Sequence, residues 1–135
     1  MILHLVRHGD ANPRQGSWST DDDRPLSTRG REQARRVGAA LHRLGARPDL
    51  VLTSPLARAA ETAEHISAAL LIGSDPIVTA VLRPGASAGA LLEELGHRHP
   101  DANEVVCTGH MPDLGYMASQ LAAGPESAPC PAPWN

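Results

Sequence analysis

The chain is poor in aromatic residues and contains no lysine. Aromatics make up 2% of its 135 residues: Trp18, Tyr116 and Trp134, with no phenylalanine. The core must therefore be aliphatic, and stacking platforms for single-stranded nucleic acid are disfavoured. All 12 basic residues are arginine. Without lysine there is no Schiff-base chemistry and no Walker-type phosphate lysine. Cys107 and Cys130 are too few for a disulfide framework, and Cys107, in an apolar run, reads as a reduced, buried thiol. No apolar run approaches the ~20 residues of a membrane span. Met1 to Arg7 does not read as a signal peptide: its apolar stretch is short and interrupted by His4, and no small-residue cleavage site follows. The expectation is a soluble, cytoplasmic protein. A net charge of −3 gives no reason to expect nucleic acid or an anionic membrane as partner.

What is present suits one domain, at ~150 residues per domain. Ile2 to Val6 reads as a short buried strand, followed by a polar loop from Asp10 to Arg24. The acidic run Asp21-Asp22-Asp23 reads as its solvated tip. A helix capped by Ser27 or Thr28 follows, with Ala34, Val37, Leu41 and Leu44 forming one apolar stripe. Leu50 to Thr53 is the second strand. Ser54 is expected as N-cap of the next helix, with Pro55 at its first position, running to about Leu71. Ile77 to Leu82 is a third strand, Ala88 to about His99 a third helix, Val105 to Thr108 a fourth strand, and Pro112 to Ala123 a fourth helix. This alternation predicts a three-layer α/β/α sandwich with a mainly parallel sheet.

In open α/β sheets, ligands bind beyond the carboxyl ends of the strands. Here the first strand delivers Arg7-His8-Gly9, the second Ser54-Pro55-Leu56-Ala57-Arg58, and the fourth Gly109-His110-Met111-Pro112. Two arginines and two histidines on one rim form a site for a dianion, most naturally a phosphoryl group. No metal-ligand set appears there.

These residues carry a specific resemblance. Leu5-Val6-Arg7-His8-Gly9-Asp10-Ala11 resembles the signature of the histidine phosphatase superfamily, which includes the phosphoglycerate mutases. Thr53 to Ala63 resembles its second motif and Thr108 to Pro112 its third. Arg24-Pro25-Leu26-Ser27-Thr28-Arg29-Gly30 also matches a segment common in the family. The short chain and the Arg-His-Gly-Asp-Ala form look most like the SixA-type phosphohistidine phosphatases. The resemblance covers about residues 1 to 123 and implies roles by position. His8 is the expected nucleophile. Arg7 and Arg58 are expected to clamp phosphate, with His110 as a second, protonated contact and Arg24 as a further one. Gly9 is expected to let the backbone hold the second nitrogen of His8. No metal or cofactor is implied. Asp10 reads as a turn cap, Glu61 and Glu64 as helix-surface residues, and His4, His42, His65, His97 and His99 as ordinary strand or surface histidines.

Many ester-cleaving members of the family place an acid after the third strand. Here Leu82-Arg83-Pro84-Gly85-Ala86-Ser87 offers none. An alkoxide leaving group is nearly as basic as hydroxide, whose conjugate acid has a pKa of about 15.7, and it needs a proton. An imidazole leaving group, with a reference pKa of ~6.5, needs far less help. The expected substrate is therefore phosphohistidine on a signalling or phosphotransfer protein, the alternative a small phosphate compound. A third reading, a weakly active remnant acting as a binding protein, rests on the tail. Gly124 to Asn135 holds four of the 12 prolines, lacks strand patterning, and reads as a poorly ordered segment where further strands are expected to complete the sheet.

Overall fold

The computed structural model describes residues 1–14 and 18–123. Strands and helices alternate: β1 (Ile2–Arg7), α1 (Thr28–Arg43), β2 (Leu50–Thr53), α2 (Ala57–Ala69), β3 (Ile77–Val78), α3 (Ala88–Arg98), β4 (Glu104–Gly109) and α4 (Asp113–Ala123). The strand order is β1-β4-β2-β3, and every pairing is parallel.

Side chains alternate across the sheet with period two. Leu3, Leu5, Leu50, Leu52, Val105 and Cys107 join one cluster with Leu91 and Leu95 of α3 and Leu114 and Met117 of α4. Val6, Val51 and Val106 join the other with Ala63 and Ile66 of α2 and Val37 and Leu41 of α1. Helices thus cover both faces, giving the three-layer sandwich read from the alternation. The Pro-rich tail and the shortened sheet expected there involve residues 124–135, which lie outside the described residues.

Three local expectations need correction. The third strand stops at Val78. Its Thr79 N–H still bonds the Thr53 carbonyl at 2.9 Å, but the Thr79 hydroxyl caps a 3-10 turn over Ala80–Leu82. That turn drops Leu82 into the core, where it is buried. Pro55 is not the first residue of α2: the chain stays extended through Leu56, and the Ser54 hydroxyl accepts from the Leu56 N–H at 3.3 Å. Leu44 is not part of the apolar stripe of α1. It follows the helix and is 82% exposed, while Gly30, Ala34 and Gly38 are the buried positions. Small residues are needed because α1 lies close to α2; a Cβ on Gly38 would sit 2.6 Å from that of Ala69.

The same close approach fixes the loop after β1. The Ser27 N–H bonds the Asp10 carbonyl at 2.9 Å, and the Ser27 hydroxyl donates to the Asp10 carboxylate at 2.7 Å while accepting from the Gly30 N–H at 3.0 Å. The first turn of α1 is thereby laid on the backbone of Gly9 and Asp10. A Cβ on Gly30 would overlap the Asp10 carbonyl, and one on Gly9 would lie 2.5 Å from the Gly30 oxygen. Both neighbours are main chain, so neither can move without shifting His8. Gly30→Ala is expected to destabilise the fold by ~1–3 kcal/mol, as overpacking does. Urea unfolding measures this, and an unchanged midpoint would show that the loop yields.

Candidate active site

Parallel register brings the site together. Arg7 pairs with Gly109, and Thr53 with Thr108. The ladders continue past the strands: the His8 N–H bonds the Gly109 carbonyl, and the Ser54 N–H the Thr108 carbonyl, each at 3.1 Å. His8, Ser54 and His110 therefore leave the sheet side by side. The rings of His8 and His110 lie 5.3 Å apart, and His110 Nε2 is 2.8 Å from Ser54 Oγ. Arg7, His8, Arg24, Arg58 and His110, all the residues singled out from the sequence, line one open cavity of about 930 Å³.

The tautomer of His8 follows from its partner. Its Nδ1 lies 2.6 Å from the Gly9 carbonyl, which can only accept, so Nδ1 carries the proton and Nε2 presents a lone pair. Gly9 is itself fixed, its N–H donating to Thr62 Oγ1 at 3.1 Å while Thr62 donates to the Arg58 carbonyl at 2.7 Å. Burial lowers the His8 pKa below its ordinary value. The Gly9 carbonyl opposes this, and the Arg58, Arg7 and Arg24 charges reinforce it. His8 is thus neutral at pH 7.

His110 departs from expectation. Burial, then the His8, Arg58 and Arg83 charges, lower its pKa to about 4. In the free protein it is neutral, not protonated. The expected charge is favoured when an anion lies beside the ring.

The arginines differ in setting. Arg7 is exposed at the end of β1, while Arg58 is 7% exposed in the first turn of α2. Arg58 donates through Nη1 to the Asp21 carbonyl at 2.9 Å and through Nη2 to the Asp21 carboxylate at 3.3 Å. Arg24 donates to the same carboxylate through Nε at 3.2 Å and to the Asn12 carbonyl at 2.8 Å. Arg83 bonds Asp22 at 2.8 Å.

The acidic run is exposed, as expected of a solvated tip, but it is also ion-paired. Asp21–Asp23 form a 3-10 turn with Asp21 in the cavity lining, and Asp23 receives the hydroxyls of Ser19 and Thr20. Three carboxylates just ahead of Arg24, in a chain whose strand ends offer arginines and no paired acid, were the signal for this role. Partial burial raises the Asp21 carboxyl, but Arg58, Arg24 and Arg14 outweigh it and hold it below the usual range. Other residues also do more than the sequence indicated. Asp10 does help cap α1. Glu61 accepts the Leu26 N–H at 3.1 Å, tying α2 to the loop, and His4 bonds Glu104 at 2.8 Å. Among the described residues no cluster of three His, Cys, Asp or Glu is placed to hold a metal, and no helix is long and apolar enough to cross a membrane.

A rim of arginines around a neutral histidine with one free nitrogen, at the strand ends of an α/β/α sandwich, defines a phosphoryl-handling site. Residues 3–104 match the histidine phosphatase superfamily (branch 1). An uncharacterised protein of Picosynechococcus sp. is 43% identical over 126 residues, which cover 92% of this chain and 74% of that protein. Phosphohistidine phosphatase SixA of Escherichia coli is 31% identical over 127 residues, covering 92% of this chain and 76% of that one. The structure of the protein histidine phosphatase SixA complexed with tungstate superposes with a TM-score of 0.82 at 28% identity, covering 96% of this chain and 81% of that chain. The chain belongs to the histidine phosphatase superfamily and is SixA-like within it.

The low pKa of His110 has a consequence for anion binding. A dianion beside the ring favours its protonated form, so binding is expected to take up a proton and to tighten as pH falls toward 6. Sulfate titrations at pH 6, in buffers of different ionisation enthalpy, are expected to show this uptake, and His110→Gln to abolish it. Binding without proton uptake would mean that His110 stays neutral beside the anion.

Proposed function

We propose that the protein is a phosphohistidine phosphatase in which His8 is the nucleophile, acting on a phosphorylated signalling or phosphotransfer protein. The observation that carries the mechanism is the Nδ1–H bond to Gly9, which leaves Nε2 as the attacking atom. Nε2 forms a bond to phosphorus as the P–N bond of the substrate breaks, and the substrate ring, already protonated on its other nitrogen, leaves as neutral imidazole. Water then attacks phosphorus, the Nε2–P bond breaks with its electron pair returning to Nε2, and dihydrogen phosphate departs and sheds a proton to solvent, with His8 restored. Arg7, Arg58 and Arg24 balance the phosphoryl charge throughout, and His110, protonated as the anion binds, adds to them. Opposite charges 4 Å apart at such a partly screened rim attract by about 4 kcal/mol.

The choice of substrate is supported by the carboxylates of the cavity. Asp21 is held ionised by arginines, and Asp10 already accepts the Ser27 hydroxyl. The segment after β3 supplies Arg83, itself paired to Asp22. A site so furnished handles leaving groups that depart without a proton, and imidazole is one. An open mouth also suits a side chain presented by another protein.

Two measurements test this. Rapid quenching with labelled substrate is expected to trap a phosphoenzyme that is absent in His8→Ala; label persisting in the variant would refute His8 as nucleophile. The kcat/KM for a phosphohistidine protein is expected to exceed that for a sugar phosphate by at least ~100-fold, about what a missing general acid withholds from an ester. Preference for the sugar phosphate would assign the protein to small molecules instead.

A further inference from the structure

Arg58 is deeply buried, and among the described residues its Nε has no hydrogen-bond partner. Leaving such a donor unpaired is costly, so its setting needs an explanation. A guanidinium offers two forked edges, one made of both Nη atoms and one made of Nε and Nη2. Asp21 takes the first edge twice over, with its carbonyl on Nη1 and its carboxylate on Nη2. Nε itself is closed off from solvent, so the part of Arg58 that reaches the cavity is the remainder of its guanidinium.

We infer that Asp21 is a positioning residue: it grips Arg58 by both Nη atoms and holds the guanidinium at the cavity wall, where it meets the phosphoryl oxygens. The inference rests on the reading of Arg58 as a phosphate ligand. Asp21 also bonds Arg24, so one carboxylate sets the spacing of two arginines that would otherwise repel each other. The turn that carries it is held at its far side, where Asp22 bonds Arg83, and from within, where Asp23 takes the Ser19 and Thr20 hydroxyls. The three aspartates thus have separate partners, and only Asp21 reaches Arg58. A carboxylate merely standing in for phosphate would not need its own carbonyl on Nη1, a bond that loss of the carboxylate leaves in place.

The sign of one substitution separates positioning from bulk electrostatics. Removing any negative charge near an anion site should strengthen anion binding. Positioning requires the opposite at residue 21. Calorimetric titration with orthophosphate is expected to show Asp21→Asn weakening binding roughly tenfold, what one hydrogen bond to a charged group is worth. Asp22→Asn, which removes the same charge from the same turn, is expected not to weaken it. In an Arg58→Ala background, Asp21→Asn is expected to have little further effect, since the route through Arg58 is gone. Unchanged or tighter binding in Asp21→Asn would overturn the inference. So would an equal loss in Asp22→Asn, which would mark general loosening of the turn, or a full loss persisting without Arg58. If Arg58→Ala itself binds orthophosphate normally, the reading of Arg58 fails. If Arg58→Ala loses binding while Asp21→Asn does not, the inference about Asp21 fails alone.

Discussion

The site depends on the register of three parallel strands. β1 and β2 both pair with β4, and the pairing runs one residue beyond each strand into His8 and Ser54. A slip of one residue would reverse the face of every side chain on the slipped strand. It would send Leu3 and Leu5 out of one cluster and Val6 out of the other, so burial of aliphatic side chains on both faces enforces the register. The proximity of two histidines far apart in the chain is therefore a consequence of core packing. No bond between the rings is needed to maintain it.

Around that frame the electrostatics are built from mutual restraint. Burial, reinforced by the arginine charges that suit the cavity to a dianion, keeps His8 and His110 neutral without one. For His8 this preserves the lone pair that the proposed chemistry uses. On the proposed reading, the neutral His110 ring takes a proton as the anion binds. The same arginines need a counter-charge while the cavity is empty, and the 3-10 turn of aspartates supplies it from one side. Asp21 itself lines the cavity, beside the arginines whose charge it balances.

Much of this was legible in the sequence because the chemistry sits at strand ends. Short apolar runs mark where strands stop, and the residues just beyond them, Arg7-His8-Gly9 and Gly109-His110, are then the candidates. Arg58 follows by helical position after β2. The acidic turn was not legible, because it belongs to a loop whose path is set by tertiary partners. Asp21 and Arg58 are 37 residues apart, and Asp22 and Arg83 are 61. A run of three aspartates reads as solvated until those arginines are seen beside it. The neutrality of His110 without an anion was not legible for a related reason. Composition shows which groups are present, whereas protonation depends on burial and on neighbours that only the fold assembles. The early end of β3 and the late start of α2 escaped because the hydroxyls of Thr79 and Ser54, each accepting the N–H two residues on, redirect chain segments whose pattern alone suggests continuation.

The turn also constrains how this site could change its chemistry. A general acid for ester cleavage must be protonated at the start of the step. Asp21 cannot serve while Arg58 and Arg24 flank it, because their charges favour its anion. Placing an acid in the segment after β3 meets a different obstacle. At position 83 it would replace the partner of Asp22 and set two carboxylates against each other, loosening the turn that, on the proposed reading, aims Arg58. One substitution would then add a proton donor and disturb the phosphate cradle together. The pairing of Asp22 with Arg83 thus links leaving-group chemistry to anion binding through a single short turn. On the proposed reading, the site is better suited to substrates whose leaving group needs no acid than to acquiring one.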